Sequence, residues 1–175
     1  KEKPTGAFSI GGGFSTLDQF TLIADITEGN FLGRGYLARI RGQVGGRRTI
    51  GTITFRNPAI FDTLVSAQVD VFSSFTNFLT YVEKKQGANL TFGQGFSEFL
   101  TGTFTLVAEQ VKIKDVDSDA NDIIKDQEGT QSTTGFRASL FRDSRDFYLD
   151  PRRGIRVGVR TSLGTDVFGG SNNFY

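Results

Sequence analysis

From Gly6 onward, apolar and polar residues alternate with a period of two in one short segment after another. Neighbouring side chains on a β-strand point to opposite faces, so each such segment predicts a strand with one apolar and one polar face. The clearest case lies within residues 29–61. Tyr36, Ala38, Ile40, Gly42 and Val44 share one face, and Arg39, Arg41 and Gln43 share the other. After the tight connection Gly45-Gly46-Arg47-Arg48, Gly51, Ile53 and Phe55 oppose Thr52, Thr54 and Arg56. These two segments make a hairpin, and the rest of the chain repeats the unit.

Before the hairpin, Phe8, Ile10 and Phe14 oppose Ala7, Ser9, Gly11 and Gly13, and Phe20, Leu22, Ala24 and Ile26 oppose Thr21, Ile23, Asp25 and Thr27. After it, Val65, Ala67, Val69 and Val71 oppose Ser66, Gln68 and Asp70. Residues 79–92 read as a longer strand whose phase slips near residues 83–86, which predicts a bulge or a stretch beyond a membrane. Phe104, Leu106 and Ala108 oppose Thr103, Thr105 and Glu109; Phe136, Ala138 and Leu140 oppose Arg137, Ser139 and Phe141. Ile155, Val157 and Val159 oppose Arg156, Gly158 and Arg160. That gives about nine strands and no helix. Turns are expected at residues 15–19, 30–35, 57–62, 73–77, 93–99 and 143–154, with one long polar connection at 112–131. The tail, 164–175, shows no alternation. The triple glycine Gly11-Gly12-Gly13 predicts a weak or bent first strand, because glycine packs nothing and has more entropy to lose.

Composition narrows the chemistry. The chain has 175 residues and a net charge of +1, so bulk attraction to nucleic acid or anionic lipid is not indicated. It contains no Cys and no His, which excludes the usual zinc sites, thiol nucleophiles and histidine-based triads. No catalytic residue, metal or cofactor is expected. No apolar run approaches the roughly 20 residues of a spanning helix, and none follows Lys1-Glu2-Lys3-Pro4 as in a signal peptide. A mean hydropathy of −0.22 looks soluble. A membrane barrel shows lipid only one face of each strand, however, so the average hides it. From the pattern alone, a soluble sandwich and a membrane barrel both remain open. In the first the polar face is solvated surface; in the second, Asp25, Arg39, Arg41, Asp70, Arg137, Arg156 and Arg160 line a lumen.

Asn30-Phe31-Leu32-Gly33-Arg34-Gly35, the alternating strands after it and Asn57-Pro58 resemble the start of the barrel of the BamA-type outer-membrane assembly family. Thr5-Gly6-Ala7-Phe8-Ser9-Ile10-Gly11 and Asp150-Pro151-Arg152-Arg153-Gly154 match in the same order. The resemblance implies an all-β, antiparallel, up-and-down transmembrane β-barrel segment in the bacterial outer membrane, incomplete and forming the N-terminal half. Residues 1–5 would be a linker from a periplasmic region, and residues 6–175 the barrel part. With entry from the periplasm, the turns at 30–35, 57–62, 93–99 and 150–154 are periplasmic and 112–131 is extracellular. The implied function is a non-enzymatic insertase. Its partners would be outer-membrane lipid, unfolded β-barrel clients and accessory envelope proteins, without nucleic acid. The family's seam lies at its first strand, so the candidate client-pairing residues are Gly6, Ala7, Phe8, Ser9, Ile10, Gly11, Gly12, Gly13 and Phe14. A secretion or translocation pore of the same family, a passive porin-like channel and a soluble β-sheet binding domain are the alternatives.

One further motif invites a metal. Asp115, Asp117, Asp119 and Asp126 are spaced like the oxygen ligands of a calcium loop. Ala120 stands where that loop needs glycine, and Asp126 replaces its bidentate glutamate, so a solvated surface loop is the preferred reading.

Overall fold

The computed structural model describes residues 5–16, 19–147 and 149–165. Nine strands form a single antiparallel sheet in which each pairs with its sequence neighbours. They are β1 (Gly6–Ser15), β2 (Gln19–Phe31), β3 (Tyr36–Gly45), β4 (Arg48–Asn57), β5 (Val65–Asn77), β6 (Val82–Ser97), β7 (Leu100–Lys114), β8 (Gly129–Asp143) and β9 (Arg156–Thr165). The order is a meander, so connections fall alternately at the two ends. Those at 32–35, 58–64, 98–99 and 144–155 share one end; those at 46–47, 78–81 and 115–128 share the other.

Directly opposed residues share a face, so the register shows how the alternation sums across the sheet. Phe8, Ile26, Ile40, Ile53, Val71, Ala88 and Ala108 form one continuous row. Ala38, Phe55, Val69, Leu90, Leu106, Phe136 and Leu163 form another. The opposite face carries rows such as Asp25, Arg41, Thr52 and Phe72. Every face assignment read from the sequence for these strands holds.

No second layer covers the apolar face among the described residues. Among the described residues only Val107, Ile113, Ala120, Thr76, Thr133 and the glycines Gly102 and Gly135 are buried, and no large side chain is fully buried. Ile40, Ile53 and Val71 remain about half exposed in the middle of the sheet. A sandwich would place a second sheet about 10 Å away over these residues. One uncovered sheet with a contiguous apolar face fits a wall that meets lipid on that side. From Ala67 to Phe75 the apolar face of β5 runs about 27 Å along the strand, or about 21 Å along the membrane normal at a tilt of about 40°. That is close to the band of about 25 Å such barrels present. Phe31, Tyr36 and Phe55 cluster at one rim of it, with Phe55 ring centroids 6.3 Å from Phe31 and 5.5 Å from Tyr36.

The turns follow from local chemistry. Asn30 Oδ1 accepts the Gly35 N–H at 2.7 Å, and Gly33 and Gly35 adopt left-handed φ of 70° and 69°. Only glycine takes that conformation without strain. Asn57 Oδ1 accepts the Ala59 N–H at 3.0 Å across Pro58.

Several boundaries differ from the sequence reading. Pairing of β6 with β5 and β7 runs through residues 83–86 without a bulge; the irregularity lies at Gly95/Ser97 instead. The phase slip arises because β6 leaves the apolar band there, so lysine and glutamine occupy outward positions. Residues 93–97 belong to β6 and residues 73–77 to β5, so neither stretch is a turn. Their polar side chains satisfied a turn pattern while their backbones continued the ladder. A four-residue helix, α1 (Asp122–Lys125), sits in the long connection, capped by Asn121 Oδ1 accepting the Ile123 N–H at 3.0 Å. Most of the unalternating tail lies outside the described residues.

Candidate functional site

β1 is an edge strand, paired with β2 from Gly6↔Glu28 to Ser15↔Gln19 with no register shift. The three glycines therefore do not interrupt the ladder. Its phase follows from one bond next to the strand: the Gly29 N–H donates to the Thr5 carbonyl at 3.1 Å. Directly opposed antiparallel pairs alternate between hydrogen-bonded and non-hydrogen-bonded. Ala7, Ser9, Gly11 and Gly13 thus exchange hydrogen bonds with β2. The N–H and C=O groups of Gly6, Phe8, Ile10, Gly12 and Phe14 point to the open side. Those same residues carry the lipid-facing side chains, and Phe8, Ile10 and Phe14 are 65%, 62% and 78% exposed. The edge is a regular series of unpaired donors and acceptors with apolar side chains on one flank. Such an edge is a template for another strand.

The base of β1 is held to β2 by the Thr5 hydroxyl, which donates to the Glu28 carboxylate. Further along, the glycines leave space. A Cβ on Gly11 or Gly13 would meet no atom within 4 Å, and a hollow of about 380 Å³ opens beside them, floored by Thr21 and Ile23. Packing within the described residues does not demand glycine there.

The face opposite the lipid carries the charges. Arg39 grips Asp25 with Nε at 2.9 Å and with Nη2, and Arg41 Nε lies 4.0 Å from the same carboxylate. Asp70 accepts from Thr54 at 2.7 Å and from Gln68 at 2.8 Å, and Lys85 pairs with Glu109 at 3.0 Å. Asp143 lies 3.9 Å from Arg156, while Arg160 sits 5.8 Å from the Phe141 ring centroid. Of the inner-face charges named from the sequence, Asp25, Arg39, Arg41, Asp70 and Arg156 are thus engaged in polar contacts, and Arg160 lies over a ring.

The aspartates of the long connection are not gathered. Among the described residues no group of three acidic side chains could hold a metal ion. Asp115 pairs with Lys114 at 3.1 Å, and Asp126 is the C-cap of α1.

Two close glycine–aromatic pairs escaped the sequence reading. Phe72 covers Gly87 and Phe141 covers Gly158, each a directly opposed pair on the inner face. The available signal was a phenylalanine in a polar phase facing a glycine one strand away, which is visible only once the register is known.

Residues 30–175 match the Omp85 superfamily domain. The chain belongs to the Omp85 superfamily. It is 29% identical over 174 residues to the outer membrane protein assembly factor BamA of Nitratidesulfovibrio vulgaris, covering 99% of this chain and 22% of that protein. It is 27% identical over 173 residues to BamA of Neorickettsia risticii, covering 95% of this chain and 23% of that protein. The chain therefore spans less than a quarter of the length of these curated relatives. The crystal structure of BamA from Haemophilus ducreyi lacking POTRA domains 1–3 superposes on 98% of this chain and 36% of its own, with a TM-score of 0.78 at 19% identity. As an Omp85 chain with this sheet, the protein is a segment of an outer-membrane β-barrel of the BamA type. The nine strands do not close on themselves.

Proposed function

We propose that this Omp85 segment serves a non-enzymatic insertase that folds β-barrel proteins into the outer membrane, with β1 as the strand that pairs with incoming clients. The observation that supports this reading is the hydrogen-bond phase of β1, which pairs with β2 through Ala7, Ser9, Gly11 and Gly13 and turns the backbone groups of Gly6, Phe8, Ile10, Gly12 and Phe14 away from it. A client strand adding there replaces water on unpaired backbone groups with a full ladder while its apolar residues enter lipid. Folding of the client then supplies the free energy. In this reading residues 6–175 form the N-terminal part of the barrel, and residues 1–5 lead in from periplasmic segments that contact accessory proteins.

The charged inner face favours a second reading, a translocation pore of the same superfamily, whose passenger would run along Asp25, Arg39 and Asp70 instead. Site-specific photocrosslinking in the full-length protein separates the two. Probes across residues 6–14 should capture clients during assembly, whereas probes at Val69 and Val71 should not. Capture confined to inner-face positions such as Thr52 and Thr54 would replace the insertase with the pore.

A further inference from the structure

The outer face of β6 and β7 passes from apolar to polar over three directly opposed pairs: Ala88↔Ala108, Gln86↔Gln110 and Lys84↔Lys112. Gln86 donates to Gln110 at 3.1 Å. The next pair sets two lysines against each other on the same face of adjacent strands. Like charges directly opposed across a ladder are destabilising. The other described lysines each have a carboxylate partner: Lys85 with Glu109, Lys114 with Asp115, and Lys125 with Asp122. Among the described lysines, Lys84 and Lys112 alone make no ion pair. Both are exposed.

Their height is set by their neighbours. Lys84 lies directly opposite Phe75, an outward aromatic at this rim of the apolar band, and Lys112 lies opposite Thr130. Two ammonium groups therefore flank the depth at which lipid tails give way to headgroups, on the side that faces the bilayer. A phosphate between them would offset their repulsion and accept from the Thr130 hydroxyl.

We propose that Lys84 and Lys112 form a binding site for the phosphate of an anionic lipid headgroup. The site rests on the barrel fold alone and holds whichever function the seam performs. Its consequence is a fixed lipid at the wall formed by β6 and β7, well away from β1.

The test uses the full-length protein in detergent, titrated with short-chain phosphatidylglycerol, with phosphatidylcholine or with inorganic phosphate, and read by native mass spectrometry. Each lysine near an anionic headgroup is worth roughly fivefold in affinity, so K84Q/K112Q should bind phosphatidylglycerol roughly twenty-five-fold more weakly. K125Q should bind it as the unsubstituted protein does, and phosphatidylcholine should not distinguish the variants. Without lipid, K84Q should melt no lower than the unsubstituted protein, because it removes a repulsion. Equal phosphatidylglycerol binding by K84Q/K112Q and the unsubstituted protein would overturn the proposal. So would binding of inorganic phosphate alone without the lipid, or a lower melting temperature for K84Q in lipid-free detergent, which would mark the lysines as structural.

Discussion

Phe72 lies across Gly87, its direct partner on the neighbouring strand, so closely that a Cβ on Gly87 would stand 2.9 Å from the ring's Cζ. The same Cβ would come within 2.5 Å of the Ala108 carbonyl oxygen, which belongs to the ladder and has little room to move. Gly87→Ala should therefore destabilise the barrel by about 1–3 kcal/mol, the usual cost of overpacking. Denaturant unfolding of the full-length protein in detergent would check this. An unchanged midpoint would show that the wall yields more readily than these distances allow.

Alanine at Gly11 or Gly13 should act in the opposite direction. Nothing stands within 4 Å of either Cβ position, and neither residue has a positive φ. Each substitution should stabilise β1 by about 0.5–1 kcal/mol through lower unfolded-chain entropy. If these glycines keep the seam strand easy to remodel, the stabilised variants should also assemble clients more slowly. Rates of client folding in vesicles, measured beside the unfolding midpoint, test both halves of the expectation.

Asp25 joins β2 to β3 through Arg39 and Arg41. Asp25→Asn removes the charge that holds both guanidinium groups. Because Arg39 remains partly exposed to screening solvent, the loss should be modest, a small downward shift of the unfolding midpoint. Arg39→Lys should lose part of it, since a point charge cannot reproduce the two-nitrogen grip. A double-mutant cycle with Asp25→Asn would read the coupling directly, and a coupling of zero would mean that the pair is only a geometric neighbour.

The turn at 144–155 should open in acid. Asp146 Oδ1 accepts the backbone N–H groups of Phe147, Arg152 and Arg153 at 2.9, 3.0 and 3.1 Å. These bonds, the one from Arg153 foremost, hold its carboxyl below the ordinary aspartate range. A lowered folded-state pKa means the charged form supports the fold. That support is complete above the unfolded value of about 3.9 and is lost as pH falls through the lower folded value. Pepsin cleavage within this turn should rise on acidification in the unsubstituted protein and change far less with pH in Asp146→Asn. Equal pH dependence in the two would assign the opening to another group.

The sheet was legible because lipid and lumen impose a strict two-residue period, and Ile26, Ile40, Ile53 and Val71 keep it across four strands. Where a strand leaves the apolar band the period carries no information. That is why Ser73, Lys84 and Gly93 read as irregular while their backbones stay in the ladder. The candidate seam strand was visible from Phe8, Ile10 and Phe14 together with the family resemblance. Which of its backbone groups face outward was not, because hydrogen-bond phase depends on pairing with Thr5 and Gly29, and a single sequence does not encode it.

That phase gives the most direct test of the central claim. Proline removes one N–H and little else on an edge strand. Phe8→Pro and Ile10→Pro delete donors that face the open side, whereas Ser9→Pro deletes one used by β2. Phe8→Ala and Ile10→Ala keep the donors and control for the lost side chains. In the full-length protein, the Phe8 and Ile10 prolines should leave a folded, heat-modifiable barrel that no longer assembles clients, while the alanines assemble them and Ser9→Pro loses barrel stability. Client assembly at the unsubstituted rate by both Phe8→Pro and Ile10→Pro would contradict edge pairing at β1.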